Sequence, residues 1–146
     1  FNFTELDNGV VFKDDNLTVE AFQVNHGEFE DAYGFRFISK DKVIVFSGDT
    51  GPSQNLERYA KDADILVHEV YSYAGFLKKT KDWQIYHKGH HTSTYEVGEI
   101  ASRAKPKLLV LSHILFWGAD EQDILKETRS TFSGNIKIAE DLMVIK

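Results

Sequence analysis

Apolar runs that end on polar residues recur along this chain and predict the strands of one sheet. The clearest run covers residues 43–46 and breaks into a Ser-Gly pair before Asp49. Two later runs repeat the design, because residues 64–69 read DILVHE and residues 107–113 read KLLVLSH. This pattern is typical of buried strands that present a polar side chain where they end. Each of the three runs ends on a residue able to hold a metal ion or move a proton.

The first half of the chain has the pattern of a β-meander. Turn signals at residues 7–9 and 14–16 separate short runs of β-prone residues. The predicted strands cover residues 10–13, 17–24, 33–39 and 42–46, and the last two form a hairpin across residues 40–41.

The spacing of apolar residues becomes helical after Asp49, between further strands. Ser53 is a suitable cap for a helix that runs to residue 61, and Ser93 with Glu96 forms a capping box for a second helix. A third helix is predicted over residues 120–131, strands over residues 64–70 and 108–112, and a final hairpin over residues 135–139 and 142–145. Residues 71–92 are predicted to be a long irregular loop rich in aromatic residues and histidine. Together these elements predict one layered α/β unit over residues 1–146, with a meander leading into βα units.

Composition fits one folded domain. The chain has 146 residues, of which 42% are hydrophobic, and no apolar run approaches the roughly 20 residues of a membrane-spanning helix. We therefore expect no membrane association. The chain starts at Phe1 and its single methionine is Met143, so we expect it to be a piece of a longer polypeptide. Both a cytoplasmic and an exported location are compatible with the sequence.

Charge and cysteine content restrict the chemistry. Without cysteine, the chain has no disulfides and no thiolate nucleophile, and any metal must be held by His, Asp or Glu. The net charge of −6 argues against an extended nucleic-acid footprint. The lysine-rich run at residues 78–81 is the candidate basic patch, although such a run also fits an ordinary solvated surface.

Three residues that follow predicted strands are candidate metal ligands, namely His26, Asp49 and His113. Neutral imidazole and carboxylate groups suit zinc, manganese or iron. Taken singly, each also fits a surface turn or a structural histidine, so the prediction depends on the set. We expect the three to meet at one edge of the sheet.

The remaining histidines differ in their surroundings. His68 lies inside an apolar strand, where packing or a bond to the backbone is expected, and His87 and His90 fit plain loop surface. His91 directly precedes the capped helix, whose N-terminus stabilises negative charge. Glu69 could anchor a loop or a histidine.

Four motifs together resemble the metallo-β-lactamase fold, and most closely its ribonuclease Z and arylsulfatase-type branch. They are SGDT at residues 47–50, ADILVHE at 63–69, HHTS at 90–93 followed by the EVGEIA helix, and LSH at 111–113. The segment NHGEFEDAYGFRF at residues 25–37 also resembles that branch. The resemblance covers most of residues 17–115.

The resemblance implies a role for each candidate residue. His26 would be a histidine on the first of two divalent metal ions, Asp49 the carboxylate that bridges both ions, and His113 the histidine on the second. The ions would be zinc, with manganese or iron as alternatives. His91 would be the catalytic histidine that assists the leaving group, and Glu69 the acidic residue that orients it.

One departure from the family matters, because the H-x-H-x-D-H motif that supplies further ligands is absent. The resemblance therefore implies the C-terminal half of an αββα sandwich. Such a half would be inactive alone and would need the N-terminal half, or pairing with its own copy, to cover its second sheet face. We expect that uncovered face to be strongly apolar.

The resulting expectation is a metal-dependent hydrolase of a phosphodiester, sulfate ester or other ester-type bond. Its substrate would be a small molecule or an ester. The negative net charge of the chain disfavours a nucleic-acid substrate but leaves it as an alternative. Two alternatives stay open. One is a non-catalytic half-domain or assembly module that binds metal weakly, and the other is an endoribonuclease that processes transfer RNA.

Overall fold

The computed structural model describes residues 5–145, which form a seven-stranded mixed sheet and five helices. The strands are β1 (Gly9–Lys13), β2 (Leu17–Gln23), β3 (Tyr33–Ser39), β4 (Val43–Phe46), β5 (Ile65–Tyr71), β6 (Leu108–Leu115) and β7 (Ile136–Ile138). The helices are α1 (Gln54–Tyr59), α2 (Tyr73–Leu77), α3 (Lys81–His90), α4 (Thr94–Ala104) and α5 (Glu121–Arg129). None of the helices within this range is long and apolar enough to cross a bilayer.

The strands lie in the sheet in the order in which they occur in the sequence. The first four strands pair antiparallel and β4 to β7 pair parallel. Short turns suffice for the antiparallel half, whereas each parallel pair needs a crossover, which helices supply here. The predicted α/β architecture, a meander followed by βα units, is confirmed.

The core lies between one face of the sheet and helices α1, α4 and α5. Its sheet side includes Phe22, Val45, Leu66 and Leu109, and its helix side includes Leu56, Val97, Ala101 and Ile124, all of them buried. The helical residues recur at three- and four-residue spacing, so each helix presents one apolar stripe to the sheet.

The opposite face of the sheet is also apolar. Side chains alternate between faces along a strand, so Phe46 and Val67 lie on the face that Val45 and Leu66 avoid. Phe35 pairs with Phe46, and the rings of Phe37 and Phe46 are 5.6 Å apart. These residues line a groove of about 380 Å³ that ends at Asp49 and His113. Phe46 remains 43% exposed, as expected of an uncovered apolar face.

Two sequence predictions differ from the structure. Residues 71–92 are mostly helical, because Ser72 caps α2 and the inward side of α3 is formed by Trp83, His87 and His90 at helical spacing. The inward side of α3 carries aromatic residues and histidine, so a search for aliphatic residues at helical spacing does not detect this helix.

The predicted terminal hairpin does not form. Its first strand is β7, which pairs parallel with β6, and residues 142–145 are not a strand. Leu142 has a positive φ of 63° and is 99% exposed, so nothing supports a returning strand there.

The contact between α4 and the end of α5 predicts that Gly98→Ala destabilises the fold. A Cβ at Gly98 would collide with the Thr131 hydroxyl and lie 2.7 Å from the Thr128 carbonyl oxygen. Alanine is intrinsically a better helix former by about 1 kcal/mol, yet overpacking costs typically about 1–3 kcal/mol. We expect a net loss of stability in chemical unfolding.

Glu99→Ala is the matched control, because Glu99 is the next residue on α4 and is exposed. We expect it to change stability by no more than about 0.5 kcal/mol. A Gly98→Ala protein as stable as the parent would contradict the close packing of these helices.

Candidate functional site

The candidate site lies where the carboxyl ends of β4, β5 and β6 meet. Asp49 follows β4, Glu69 lies near the end of β5, and His113 lies near the end of β6. His91 joins α3 to α4, and His26 follows β2. Because the three strands are parallel, their ends lie at one edge of the sheet, which is the usual place for ligands in such folds.

The turn that carries Asp49 depends on glycine. Gly48 has a φ of 62°, and a Cβ there would lie 2.7 Å from the Tyr33 carbonyl oxygen. Ser47 ties the turn to β5, since its backbone N–H donates to the Val67 carbonyl and its hydroxyl accepts from the Glu69 N–H. The sequence Ser-Gly-Asp therefore fixes the direction in which Asp49 leaves the sheet.

The loop that carries His26 is bound to the same turn. The Asn25 N–H donates to the Thr50 hydroxyl at 3.2 Å, and the Gly51 N–H donates to the Asn25 carbonyl at 2.6 Å. His26 Nδ1 lies 2.8 Å from the His90 carbonyl oxygen. Because a carbonyl can only accept, this bond places the proton on Nδ1 and leaves the Nε2 lone pair free to bind a metal.

A β-bulge places His113. Glu69 pairs with Ser112 and Val70 pairs with Ile114, so His113 is the extra residue on β6. Its φ of 43° is the left-handed conformation that residues other than glycine rarely adopt. The bulge directs the side chain toward the Asp49 turn, where its Nε2 lies 3.4 Å from Asp49 Oδ2.

A buried carboxylate holds His91. Glu69 Oε2 lies 3.3 Å from His91 Nδ1, and Glu69 Oε1 accepts the Thr92 N–H at 2.7 Å. The Thr92 hydroxyl donates to the Thr50 carbonyl at 2.6 Å, which links this segment to the Asp49 turn. Thr92, a member of the HHTS motif to which the sequence analysis gave no role, therefore joins the His91 segment to the Asp49 turn.

The pair of Glu69 and His91 holds a proton tightly. Burial raises the pKa of the Glu69 carboxyl, and hydrogen bonds from His91 and Thr92 oppose that effect. Burial alone would lower the pKa of His91, but the hydrogen bond and negative charge of Glu69, together with the charge of Asp49, raise it overall. The imidazole is therefore protonated to a higher pH than a free histidine.

The predicted ligands and His91 lie close together. Asp49, His91 and His113 each offer a donor atom, and these atoms lie within 4.8 Å of one another. The His26 ring is 5.5 Å from the His91 ring, so it borders this group without joining it. A carboxylate and imidazoles form a donor set that suits zinc and similar ions. By distance alone, His91 is as near as a ligand would be.

His87 and His90, which we expected on the surface of a loop, are instead packed against other residues in and around α3. His90 is buried, and its Nδ1 donates to the Tyr86 carbonyl at 2.6 Å while its Nε2 lies 2.9 Å from Glu28 Oε2. The ring of His87 lies 3.7 Å from that of Trp83. The helical spacing of Trp83, His87 and His90 was the available signal.

Comparisons with known proteins give a consistent result. A family model described as "Beta-lactamase superfamily domain" matches residues 1–114. The ribonuclease Z of Archaeoglobus fulgidus is 35% identical over 108 residues, which cover 73% of this chain and 33% of that protein. The ribonuclease Z of Bacillus velezensis is 26% identical over an alignment of 193 positions, gaps included, that covers 97% of this chain and 60% of that protein.

Solved structures show the same fold. The metallo-beta-lactamase fold protein YhfI from Bacillus subtilis matches with a TM-score of 0.71 at 21% identity, over 88% of this chain and 49% of that one. The short form of human tRNase Z matches with a TM-score of 0.65 at 24% identity, over 94% of this chain and 44% of that one. The chain thus spans between a third and three-fifths of the length of these proteins.

The packing of His90 on Gly27 predicts that Gly27→Ala disturbs the site. Gly27 has a φ of 59°, and a Cβ there would overlap the His90 imidazole. Because the His90 carbonyl fixes the His26 tautomer, displacing His90 should misplace His26 as well as strain the loop. We expect lower stability in chemical unfolding and weaker binding of zinc in a titration.

Gly89→Ala is the control, since it lies beside His90 in α3 and a Cβ there would meet nothing within 4 Å. We expect Gly89→Ala to be neutral or stabilising by up to about 1 kcal/mol. Equal effects of the two substitutions would show that the contact between Gly27 and His90 has no special importance.

Proposed function

This chain belongs to the metallo-β-lactamase superfamily, on its ribonuclease Z branch, and from that membership we propose that it forms one half of a metal-dependent hydrolase. The supporting observation is the convergence of Asp49, His91 and His113 within 4.8 Å, with His26 beside them. Four separate segments of the chain contribute to this one edge of the sheet.

The proposed cofactor is a pair of divalent metal ions, zinc first and manganese or iron as alternatives. His26 would hold the first ion, Asp49 would bridge the two, and His113 would hold the second. The exposed carboxylate of Asp49 and the free Nε2 of His26 fit these assignments. When bound, the ions supply Lewis acidity and lower the pKa of bound water, which provides a nucleophile near neutral pH.

His91 is the proposed general acid, and Glu69 is its positioning residue. The bond between Glu69 Oε2 and His91 Nδ1 leaves Nε2 of the same ring directed to the leaving group. The hydrogen bond to the Glu69 carboxylate favours the protonated form of His91, which can then supply a proton. Donating it to the departing oxygen removes the charge that would otherwise develop there.

The proposed substrates carry a phosphodiester, sulfate ester or other ester-type bond. A small molecule is favoured because the net charge of −6 repels polyanions. A ribonuclease acting on transfer RNA is the second candidate, since curated relatives are named ribonuclease Z and a structural neighbour is named tRNase Z. The alignment with the Bacillus velezensis relative is 193 positions long, whereas this chain has 146 residues. Within the aligned region, that relative therefore carries segments with no counterpart in this chain.

The proposed partner is the N-terminal half of the same fold, and pairing with a second copy is the alternative. The apolar groove on the open sheet face ends at Asp49 and His113, so a partner that covers the groove would also border the metal ligands. A half-domain that assembles without catalysis would use the same face and bind metal only weakly. Residues 1–146 would then be one structural unit in either case.

Metal analysis of two variants separates the role of a ligand from that of an acid. In the complete protein, we expect His91→Ala to lower kcat by about 10²–10⁴-fold with metal content unchanged, because general acid catalysis is typically of that size. We expect His113→Ala to lose metal as well as activity.

If His91→Ala instead loses an equivalent of metal, His91 is a ligand, as its distance from Asp49 and His113 allows. In that case Glu69 positions a metal ligand and another group must protonate the leaving oxygen. If His91→Ala retained full activity, His91 would be neither the general acid nor an essential metal ligand.

Association of the isolated chain tests the open face. At micromolar concentration, we expect the chain to self-associate or to bind a hydrophobic dye, as measured by sedimentation and fluorescence, because Phe35, Phe37, Phe46 and Val67 form a continuous apolar surface. Phe46→Glu should weaken both effects.

Ile85→Glu is the control, because Ile85 is 74% exposed on α3. It should leave association and dye binding unchanged. A compact monomer that binds no dye would contradict the proposal that this face meets a partner.

A further inference from the structure

We propose that His68 is a positioning residue, whose Nδ1–H holds the Glu69 carbonyl where β6 bulges and thereby fixes the Glu69 carboxylate against His91. This inference rests on the proposed roles of Glu69 and His91. It concerns a side chain on the opposite face of the sheet, within the helix-covered core.

The protonation of His68 follows from its contacts. The side chain is fully buried, and its Nδ1 lies 2.6 Å from the Glu69 carbonyl oxygen. A carbonyl only accepts, so Nδ1 carries the proton. Burial lowers the pKa of His68 to about 4, which leaves the ring neutral and Nε2 unprotonated. Within residues 5–145, Nε2 has no hydrogen-bond partner.

The acceptor of this bond lies at the irregular point of the sheet. Glu69 pairs with Ser112 and Val70 with Ile114, so the peptide group between Glu69 and Val70 lies opposite the extra residue His113. A bulge disrupts the regular ladder of hydrogen bonds at that point. The His68 N–H constrains that peptide from the core side.

The orientation of this peptide is transmitted to the catalytic side. Successive side chains of a strand lie on opposite faces, so His68 reaches the Glu69 carbonyl from one face while the Glu69 carboxylate extends from the other. That carboxylate must meet His91 Nδ1 and the Thr92 N–H together, at 3.3 and 2.7 Å. A rotated peptide would misalign at least one of these bonds.

The chemistry of the core makes a purely packing role for His68 a poor explanation. A buried imidazole with an unpartnered nitrogen is unfavourable among apolar side chains, and leucine would fill a similar volume without that penalty. The Nδ1–H is therefore what histidine contributes here. Its acceptor is the Glu69 carbonyl beside the bulge.

Two substitutions in the complete, metal-loaded protein separate positioning from packing. His68→Leu fills the space but removes the donor, whereas the Asn side chain of His68→Asn can place an N–H near the position of Nδ1 but leaves a cavity. We expect His68→Leu to lower kcat by about 10–100-fold with KM and metal content unchanged, the range typical for supporting hydrogen bonds. We expect His68→Asn to recover most of kcat although it is the less stable of the two.

The order of the two variants decides between the explanations. If kcat follows stability, so that His68→Leu is the more active variant, His68 only packs. If His68→Leu keeps full kcat, the bond has no positioning role. Either result overturns the proposal.

Nitrogen NMR of the imidazole rings provides a readout that does not depend on activity. We expect His68 to show the neutral Nδ1–H tautomer near neutral pH, and the His91 Nδ1–H resonance shifted by its bond to Glu69. That His91 signal should be lost in His68→Leu and retained in His68→Asn. An Nε2–H tautomer for His68, or an unchanged His91 signal in His68→Leu, would overturn the inference. If the signals behave as expected while His91→Ala keeps its activity, the positioning holds and the proposed function fails.

Discussion

The buried carboxylate of Glu69 is the interaction on which the site depends. A carboxylate out of water needs donors, and Glu69 finds them in His91 and the Thr92 backbone. Those donors lie at the junction of α3 and α4, so satisfying the carboxylate fixes the entry to α4. Thr92 then donates to the carbonyl of Thr50, which carries the constraint to the turn of Asp49. One desolvated charge thus brings three segments into register.

The two faces of the sheet differ in what covers them. One face is filled by α1, α4 and α5, and its residues form a single buried cluster. The other face carries aromatic side chains that none of the helices described in residues 5–145 covers, and its groove leads to Asp49 and His113. The apolar face and the ligands therefore share a border. The related proteins compared above are longer than this chain, which covers 49% of YhfI and 60% of the Bacillus velezensis ribonuclease Z.

Local patterns predicted most of the fold because each element had its own signal. Apolar runs marked β4, β5 and β6, and the capping residues Ser53 and Ser93 marked the starts of α1 and α4. The pattern did not reveal α3, whose inward residues are aromatic or histidine. It did not reveal the bulge at His113 either, because a left-handed conformation at a histidine has no signature in sequence. The motifs supplied the candidate residues, but the links through Thr92 and the His90 carbonyl come from tertiary contacts between segments far apart in sequence.

On the proposed function, metal binding and association of the two halves are linked. The side chains of Asp49 and His113 are about half exposed at the sheet edge, so an ion that they held would keep part of its contact with water in this chain alone. A partner that supplies further ligands across the same border would raise metal affinity, and by linkage the bound metal would strengthen the association by an equal free energy. The apolar face would supply the part of that association that does not depend on metal. The proposed acid His91 is bonded to Glu69 within this chain, whereas the proposed metal ligands would be completed by the partner. On the proposed roles, the proton donor would therefore be held in position before the metal site is complete, and only the nucleophile would depend on assembly.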